Sequence, residues 1–395
     1  MAPVPILSVQ VHHKRGGPSI QHINFLKAID PSRFAMHVLV VQSHEMREQY
    51  DQVAASVITM PHMPTIPRSK SPLSIARYFA QTRTMARQIS QVAKDVDARI
   101  IHSFSEAFPA PLLAAQQLHL PSMVHILGMS IFQPRWVGKI WTRYFLNRAT
   151  RIVGCQQLIA DEVRRTGVAP EKILVIYNCI DPSTVREQAQ TDRPHELSGD
   201  GLKVGMVAEM DRRKGHLNFV TAAAHVTQQL PGVTFYCMGN TSGNDLYLSE
   251  IKAKIAEHDL SDRVHLVGRV DNMGAWIQAM DVYCIPSLSE ALSVAGLEAM
   301  ALERPLVVTR VGGNPEAVID GQNGLICAAA DPKDLADKLL TVLHNEPLRT
   351  QFGRNGRNRA DELFSVGSNA QKLQSVFEEL NSPVGDNLPH GTGIT

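Results

Sequence analysis

The sequence predicts an α/β fold made of two doubly wound, Rossmann-like domains that face each other across a cleft. The chain has 395 residues, which is too long for one ordinary hydrophobic core. Short runs of apolar and β-branched residues alternate with longer helical patterns almost throughout, as they do in parallel-sheet proteins. A polar segment without apolar periodicity, 181–201, divides the chain near its middle.

Each predicted strand is a short apolar run, and such runs occur on both sides of the polar segment. In the first half they are PILSVQV, MHVLVVQ, SVITM, ARIIHS, SMVHIL, TRIVGC and ILVIY. In the second half they are LKVGMVA, VTFYCMG, RVHLVG, DVYCIP and PLVVTR. Helical periodicity predicts helices between them, over 73–94, 109–118, 215–230, 245–258, 332–344 and 346–361.

The predicted domains follow from this alternation. An N-terminal domain covers 1–180, a linker covers 181–201, and a C-terminal domain covers 202–360. The segment 361–380 contains a further helix, predicted over 367–380. The tail 381–395 is rich in Pro, Gly and polar residues and is predicted to be flexible.

Charge and composition exclude several classes of protein. The formal net charge of +1 argues against a nucleic-acid-binding protein. The charge is unevenly spread, however, with +9 in residues 1–150 and −8 in the remainder. The basic half indicates an anionic partner, such as a phosphorylated acceptor or a membrane surface, or else only a chance imbalance.

The cysteines and the apolar runs bear on the cellular compartment. Five widely spaced cysteines predict reduced, buried thiols without a disulfide framework or a metal site. The first apolar run lacks a basic region ahead of it, so it is predicted to be a strand and not a signal peptide. No run approaches the length that spans a bilayer. We therefore expect a cytoplasmic protein, at most peripheral at the inner membrane face.

Two carboxylates, Glu290 and Glu298, lie eight residues apart where the strand DVYCIP leads into a helix. That helix is predicted to begin near Val294, so the N–H groups of Leu292, Ser293 and Val294 would form an anion site. A phosphate held there would leave Glu290 beside one of its substituents. Glu298 could then accept hydrogen bonds from a ribose diol. The alternative is an ordinary pair of helix glutamates, one at the N-terminus and one on a solvated face.

Three further turns lie between a strand and a helix. Lys214–Gly215 places a lysine where it can reach a pyrophosphate. Gly312–Gly313 and Gly16–Gly17 open helices at points where backbone can approach a ligand closely. Because such turns converge on one edge of each sheet, the set indicates a bound phosphate compound rather than packing alone.

The spacing of the two glutamates is an E-x7-E motif, and with it the sequence resembles the retaining glycosyltransferases of the group 1 (family 4) type. The segment EALSVAGLEAMALERPLVVTRVGGNPEAVIDGQNGLIC is similar to that family's donor-binding segment. The resemblance extends to IIHSFSEA, VIYNCID, VAEMDRRKG and VHLVGRV, so it covers nearly the whole chain. It implies the GT-B fold, with the nucleotide sugar held mainly by the C-terminal domain and the acceptor by the N-terminal domain. It also implies that the last helix crosses back to the N-terminal domain.

The resemblance implies a role for each residue of the motif. Glu298 would bind the ribose hydroxyls, Glu290 the hydroxyls of the donor sugar, and Lys214 the diphosphate. The segment Arg269–Val270 would meet the base.

The sequence departs from the family at three positions, one of which is Cys179, where the family usually has glycine after Asn178. Glu209 stands where the family usually has arginine, so Arg212 or Arg213 would have to meet the diphosphate instead. Leu127 stands where the family usually has a histidine. His125 lies two residues earlier on the same face of its strand, and His102 ends another strand, so both are candidate catalytic residues. For each, the alternative is a core histidine.

These features together predict one reaction. A sugar would pass from a nucleotide-diphosphate sugar to a hydroxyl acceptor, which is a glycan, a lipid-linked precursor or a small molecule, with retention of configuration. Backbone amides, a helix dipole and Lys214 would stabilise the leaving diphosphate, without a metal or a further cofactor. The D-x-D of Asp95 and Asp97 is predicted to be a surface feature. Two alternatives stay open, a nucleotide-sugar epimerase on a similar fold and a non-catalytic binding relative.

One segment of the basic half interleaves aromatic and basic residues. It runs over 132–148 and predicts either a helix that touches a membrane surface or one with a buried aromatic face. Arg77, Arg83 and Arg87 on the predicted helix 73–94 support the membrane alternative.

Overall fold

The computed structural model describes residues 2–12, 16–63, 71–105, 108–128, 143–190, 194, 197, 201–241 and 244–382. The chain divides into two compact units. The first comprises the described residues of Met1–Gly154, Ile159–Ile176 and Ala370–Thr395, and the second those of Cys155–Leu158 and Tyr177–Asn369. Each unit is built on a parallel sheet, so the prediction of two doubly wound α/β domains is confirmed.

The first unit contains a seven-stranded sheet in the order β3-β2-β1-β4-β5-β6-β7. Its strands are β1 Val4–Val9, β2 Phe34–Val41, β3 Ser56–Met60, β4 Ile100–Ser103, β5 Ser122–Ile126, β6 Arg151–Gly154 and β7 Ile173–Val175. The central strands are buried on both faces, which explains their nearly unbroken apolar sequence.

Helices connect these strands. They are α1 Gly17–Ala28, α2 Arg47–Val53, α3 Pro72–Asp95, α4 Ala110–Leu118 and α5 Gln157–Arg165, with short 3-10 turns at Leu146–Arg148 and Pro170–Lys172. The D-x-D residues Asp95 and Asp97 lie at the end of α3 and are exposed, as predicted.

The second unit contains a six-stranded sheet in the order β10-β9-β8-β11-β12-β13. Its strands are β8 Lys203–Val207, β9 Thr234–Met238, β10 Val264–Gly268, β11 Val282–Ile285, β12 Leu306–Thr309 and β13 Gly324–Cys327. Its helices are α6 Pro182–Ala189, α7 His216–Gln229, α8 Asp245–Glu257, α9 Met273–Gln278, α10 Val294–Ala301, α11 Asn314–Ala317, α12 Pro332–Leu343 and α13 Glu346–Leu363, with a 3-10 turn at Arg212–Lys214.

The last helix, α14 Val366–Asn381, begins in the second unit and from Ala370 onward belongs to the first. There the ring of Phe377 packs 5.6 Å from that of Phe34. The side-chain oxygen of Gln374 accepts a hydrogen bond from the Asp30 N–H at 2.9 Å. These contacts join the end of the chain to its beginning within the first unit.

Two of the differences from the sequence prediction concern the second unit. The segment predicted as linker contains helix α6, because Asp181 accepts hydrogen bonds from the N–H groups of Ser183 and Thr184 and Pro182 occupies the first turn. Strand β13 was not predicted, since four residues beginning with glycine give little periodicity.

Two of the predicted segments lie mostly outside the described part of the chain, while the basic residues of α3 lie within it. Most of the aromatic and basic segment 132–148, and of the tail 381–395, lies outside the described residues. In the described part, Arg77, Arg83 and Arg87 are exposed on α3. No helix in the described ranges is long and apolar enough to cross a bilayer.

Candidate functional site

The predicted donor residues of the second unit lie on loops that leave one edge of its sheet. Lys214 follows β8, Arg269 follows β10, Glu290 follows β11 and Gly312 follows β12. These are the carboxyl ends of parallel strands, which is the edge where such sheets bind ligands.

The turn that carries Lys214 is fixed against the loop after β11. Gly215 has φ +75°, and a Cβ atom there would lie 2.0 Å from the carbonyl oxygen of Pro286. The N–H of Leu288 donates to the carbonyl of Arg213 at 2.7 Å. A side chain at this position would clash with the Pro286 backbone, so glycine is required for the two loops to meet.

Lys214 and Glu290 form an ion pair at this contact. The Lys214 Nζ lies 2.7 Å from Glu290 Oε2, and their side chains are 27% and 11% exposed. Ser287 donates its hydroxyl to the same carboxylate oxygen at 3.2 Å. Because an ammonium group carries three N–H donors, Lys214 can hold Glu290 and still donate to an incoming anion.

Gly312 and Gly313 contact the backbone of the loop that carries Glu290. Gly312 has φ +53°, and a Cβ atom there would lie 1.6 Å from the Glu290 carbonyl oxygen. The Gly313 N–H donates to the Ala291 carbonyl at 2.7 Å. The sequence predicted that this turn lets backbone approach a ligand. In the structure, the close approach is to the protein's own loop, and these glycines position Glu290.

Helix α10 begins at Val294, as predicted. Ser293 precedes it, and its hydroxyl accepts the N–H of Gly296 at 3.2 Å, which is an ordinary N-cap. Leu292 is buried, and its carbonyl accepts a hydrogen bond from the side-chain amide of Asn178 at 3.2 Å. Asn178 is thus a contributor to this loop that the sequence did not identify.

Glu298 lies one turn into α10, close to the fully buried Tyr283 of β11. Burial raises the pKa of Glu298 to about 7. Burial, and to a smaller extent the charge of Glu298, raises the pKa of Tyr283. Hydrogen-bond donors such as hydroxyl groups stabilise the charged form of a carboxylate at such a position.

The arginines beside Lys214 are already paired with carboxylates. Arg213 donates from Nη2 to Asp211 Oδ2 at 2.7 Å, and this bond raises the pKa of Arg213, with smaller contributions from Glu290 and Glu209. Arg212 is paired with Glu250. Glu209 is exposed at the end of β8. The charge of Glu209 makes a small contribution to the raised pKa of Arg213, whose ion pair is with Asp211.

Of the remaining predicted donor residues, Arg269 and Val270 belong to the second unit, and Gly16 and Gly17 belong to the first. Arg269 is exposed directly after β10, and Val270 packs against the apolar cluster around Trp276. Gly16 and Gly17 lie in the first unit, where Gly17 begins α1. A Cβ atom at either glycine would meet nothing within 4 Å among the residues that the structure describes.

The two candidate catalytic histidines are brought together in the core of the first unit. His102 Nε2 lies 2.8 Å from His125 Nδ1, and each residue is 1% exposed. Burial lowers the pKa of His102 to about 3 and holds that of His125 well below its usual value. Both side chains are buried in the core of the first unit, and a role in the reaction stays a prediction for each. Among the described residues, His125 Nε2 has no hydrogen-bond partner.

The described ranges contain no cluster of three or more His, Cys, Asp or Glu side chains that could hold a metal ion. The cationic groups at the edge of the second sheet are Lys214, Arg212 and Arg213, each paired with a carboxylate, together with the N-terminus of α10. Such an arrangement can hold a diphosphate and stabilise the charge that grows on it as a leaving group.

Two family models together match most of the chain. The model described as "Glycosyl transferases group 1" matches residues 187–359, and the one described as "Glycosyl transferase 4-like domain" matches residues 16–179. The chain belongs to the group 1 glycosyl transferases. The residues that carry the E-x7-E motif fall within the first of these matches.

Relatives and solved structures agree with this membership. An uncharacterized glycosyltransferase of Methanocaldococcus jannaschii is 26% identical over 93% of this chain and 95% of its own. The lipopolysaccharide core biosynthesis mannosyltransferase LpsB of Rhizobium meliloti is 28% identical over 71% of this chain and 80% of its own. The structure of Anabaena HepE in complex with UDP gives a TM-score of 0.81 at 19% identity, over 95% of this chain and all of that one. The GT-B fold is thereby confirmed.

Proposed function

We propose that this group 1 glycosyltransferase moves a hexosyl group from a nucleotide-diphosphate sugar to a hydroxyl acceptor with retention of configuration. The observation that carries the proposal is the ion pair of Lys214 and Glu290, held by glycine contacts at the carboxyl edge of the second sheet. HepE, which shares the fold, has been solved with UDP and with UDP-glucose. LpsB, a curated relative, is a mannosyltransferase.

In the proposed reaction, the second unit binds the donor. Lys214 and the start of α10 contact the diphosphate, Glu298 accepts hydrogen bonds from the ribose, and Glu290 contacts hydroxyls of the sugar. Arg269 and Val270 lie beside the base. Lys214 stabilises the negative charge that develops on the leaving diphosphate, so the proposed reaction requires neither a metal nor a further cofactor.

The acceptor is proposed to be a glycan or a lipid-linked precursor used in polysaccharide biosynthesis in the cytoplasm. The basic first unit would attract such anionic acceptors. Its helix α3 carries Arg77, Arg83 and Arg87 on exposed positions, with no acidic residue before Asp95. Phe79 and Leu73 are also exposed on this helix, 37% and 81% respectively.

The proposed function is tested by a transfer assay. The purified protein is incubated with UDP-, GDP- and ADP-sugars, with and without hydroxyl acceptors, in EDTA. We expect one donor to release its nucleoside diphosphate only when an acceptor is present, and NMR of the product to show the anomeric configuration of the donor. Conversion of the donor sugar without an acceptor would indicate an epimerase instead. Binding without turnover would indicate the non-catalytic relative.

Peripheral membrane contact makes a separate prediction for α3. Replacing Arg83 and Arg87 by glutamine should weaken binding to vesicles containing anionic phospholipid by about 30-fold, because each basic residue near such a surface contributes about 1 kcal/mol. Co-sedimentation at constant salt measures this effect. The control is the pair Arg164→Gln and Arg165→Gln on α5, which removes the same charge from another helix of the first unit. Equal loss of binding in both variants would contradict a role for α3.

A further inference from the structure

The Ser287–Leu288 peptide, which leaves the end of β11, is hydrogen-bonded at both of its polar atoms. The Thr309 hydroxyl donates to the Ser287 carbonyl at 2.6 Å. The N–H of Leu288 donates to the Arg213 carbonyl at 2.7 Å. Because a carbonyl oxygen only accepts and a backbone N–H only donates, the direction of both bonds is fixed. The peptide is therefore held by β12 on one side and by the turn of Lys214 on the other.

The bonding continues through the next peptide, Arg213–Lys214. Its carbonyl accepts the Leu288 N–H, and its own N–H donates to the Asp211 carbonyl at 2.9 Å. Four groups thus form one series, which we call the Thr309 chain: the Thr309 hydroxyl, the Ser287–Leu288 peptide, the Arg213–Lys214 peptide and the Asp211 carbonyl. It connects the end of β12 with the backbone of Lys214. Hydrogen bonds in such a series polarise and strengthen one another.

The hydroxyl that begins the Thr309 chain is a fixed donor in the core. Thr309 is the last residue of β12 and is 2% exposed. Its hydroxyl also lies 3.2 Å from the Ile285 carbonyl, but the Ser287 carbonyl is the nearer acceptor. The buried side-chain amide of Asn314 donates to the Thr309 carbonyl at 3.0 Å. Strand β12 and this amide together hold the Thr309 backbone in place.

Ser287 also contacts the ion pair through its side chain. Its hydroxyl donates to Glu290 Oε2 at 3.2 Å, and the Lys214 Nζ lies 2.7 Å from the same oxygen. Ser287 itself is 2% exposed. Thr309 is therefore one residue removed from Glu290, through the Ser287 side chain. It is also connected to the Lys214 backbone, through the Leu288 N–H.

The connection depends on a side chain because the strand pairing stops before it. The register of β11 with β12 ends at Ile285 and Val308. The next residue of β11, Pro286, has no N–H to donate. The Thr309 hydroxyl then binds the residue that follows Pro286. A valine at 309 would have nearly the same shape, but it would leave the buried Ser287 carbonyl without this donor.

We propose that Thr309 is a positioning residue that sets the place of the Lys214 ammonium group at the donor diphosphate, through the two peptides of the Thr309 chain. The part that concerns the diphosphate rests on the proposed function. A preorganised charge stabilises a leaving group well because it needs no rearrangement during the reaction. Thr309 is buried, so it acts through Lys214 and not on the reacting groups.

The test compares two substitutions at one position. Thr309→Val removes the hydroxyl and keeps the shape of the side chain, while Thr309→Ser keeps the hydroxyl. The matched control is Thr234→Val. Thr234 is a buried threonine at the amino end of β9, on the opposite edge of the same sheet.

Amide hydrogen exchange tests the backbone part without any substrate. In Thr309→Val we expect the Leu288 N–H to exchange about tenfold faster than in the wild type, the effect of losing one hydrogen bond to its peptide. In Thr309→Ser and in Thr234→Val the rate should stay within about twofold of the wild type. A rate in Thr309→Val equal to that in Thr234→Val would overturn the positioning role.

Steady-state kinetics test the part that concerns transfer. We expect kcat to fall about tenfold in Thr309→Val and to stay within about twofold of the wild type in Thr309→Ser. KM for the donor should change less, because the charge that Lys214 meets grows as the bond to the sugar breaks. An equal loss of kcat in the valine and serine variants would show that the hydroxyl is not what matters, and would contradict the proposal.

The Lys214→Met background shows whether Thr309 acts through this lysine. Adding Thr309→Val to Lys214→Met should lower kcat by no more than about twofold, because the group that is positioned is already absent. A further tenfold loss, as large as in the wild-type background, would mean that Thr309 acts by another route. That result would overturn the proposal.

Failure of this proposal and failure of the proposed function give different results. Absence of transfer by the wild type would contradict the proposed function. The exchange rate of the Leu288 N–H would then still decide whether Thr309 holds the backbone of the Lys214 turn. Transfer by the wild type with an unchanged kcat in Thr309→Val would overturn the role of Thr309 alone.

Discussion

Lys214→Met is expected to lower kcat by about a hundredfold to a thousandfold, the effect of removing one preorganised charge from a developing anion. Methionine keeps much of the length of the side chain but removes the ammonium group that lies 2.7 Å from Glu290. KM for the donor should rise much less, because the charge on the diphosphate grows as its bond to the sugar breaks. Initial-rate measurements over a range of donor concentrations separate the two constants.

The same substitution leaves the Glu290 carboxylate without its cation, so some loss of stability is also expected. We expect the free energy of unfolding to fall by about 1–3 kcal/mol. The double variant Lys214→Met with Glu290→Gln should recover most of that stability and none of the activity. Lys254→Met is the control, since it removes a lysine that pairs with Glu257 on the surface of α8. A kcat for Lys214→Met close to that of this control would show that Lys214 takes no part in transfer.

Glu298→Gln is expected to have two opposite effects, a gain in stability and a loss of nucleotide affinity. Its carboxyl group has a pKa of about 7 in the folded protein, against 4.5 ordinarily. Above pH 7 the folded chain must bury the charge, so removing it should raise the free energy of unfolding by about 1–3 kcal/mol at pH 8. Loss of a charged acceptor for the ribose hydroxyls should weaken nucleotide binding by about 10- to 100-fold.

The raised pKa of Glu298 determines how the stability difference between Glu298→Gln and the wild type changes with pH. Because the pKa is raised on folding, the folded chain binds the proton between pH 4.5 and 7 and the unfolded chain does not. The stability difference between Glu298→Gln and the wild type should therefore be largest above pH 7 and vanish below about pH 4.5. Nucleotide affinity of the wild type should rise with pH until about 7, since the carboxylate is the better acceptor.

Thermal unfolding and nucleotide titration across this pH range measure both effects. Glu257→Gln, an exposed glutamate of α8, is the matched control. A Glu298→Gln variant that is no more stable than this control at pH 8 would contradict the burial argument. One that keeps wild-type nucleotide affinity would contradict the assignment of Glu298 to the ribose.

The sequence was informative wherever local chemistry determines the structure. The twelve predicted strands are present, because strands that are buried on both faces of a parallel sheet consist mostly of apolar residues. The start of α10 at Val294 was predicted from the end of β11 and the loop that follows it. The pairing of Lys214 with Glu290 could not be predicted, because it depends on a contact between two loops that are 76 residues apart.

The contacts of His102 in the core of the first unit show the same limit, since its ring nitrogens lie within hydrogen-bond distance of His125 and Ser8. His102 and His125 were identified one at a time, as candidates at strand ends. Ser8 and His22 were not, because nothing in the local sequence shows that β1 lies beside β4 or that α1 covers this face. Only the structure shows which backbone Gly312 and Gly313 approach within the chain, while their approach to a ligand stays a prediction.

The measurement that tests the central claim most directly is calorimetric titration of UDP, GDP and ADP into the wild type, Lys214→Met and the control Lys254→Met. The account predicts that one nucleoside diphosphate binds the wild type and the control equally, and binds Lys214→Met about tenfold or more weakly, because a charged contact to the diphosphate is lost. Failure of all three to bind the wild type, or equal affinity for all three proteins, would contradict the placement of the donor site at the carboxyl edge of the second sheet.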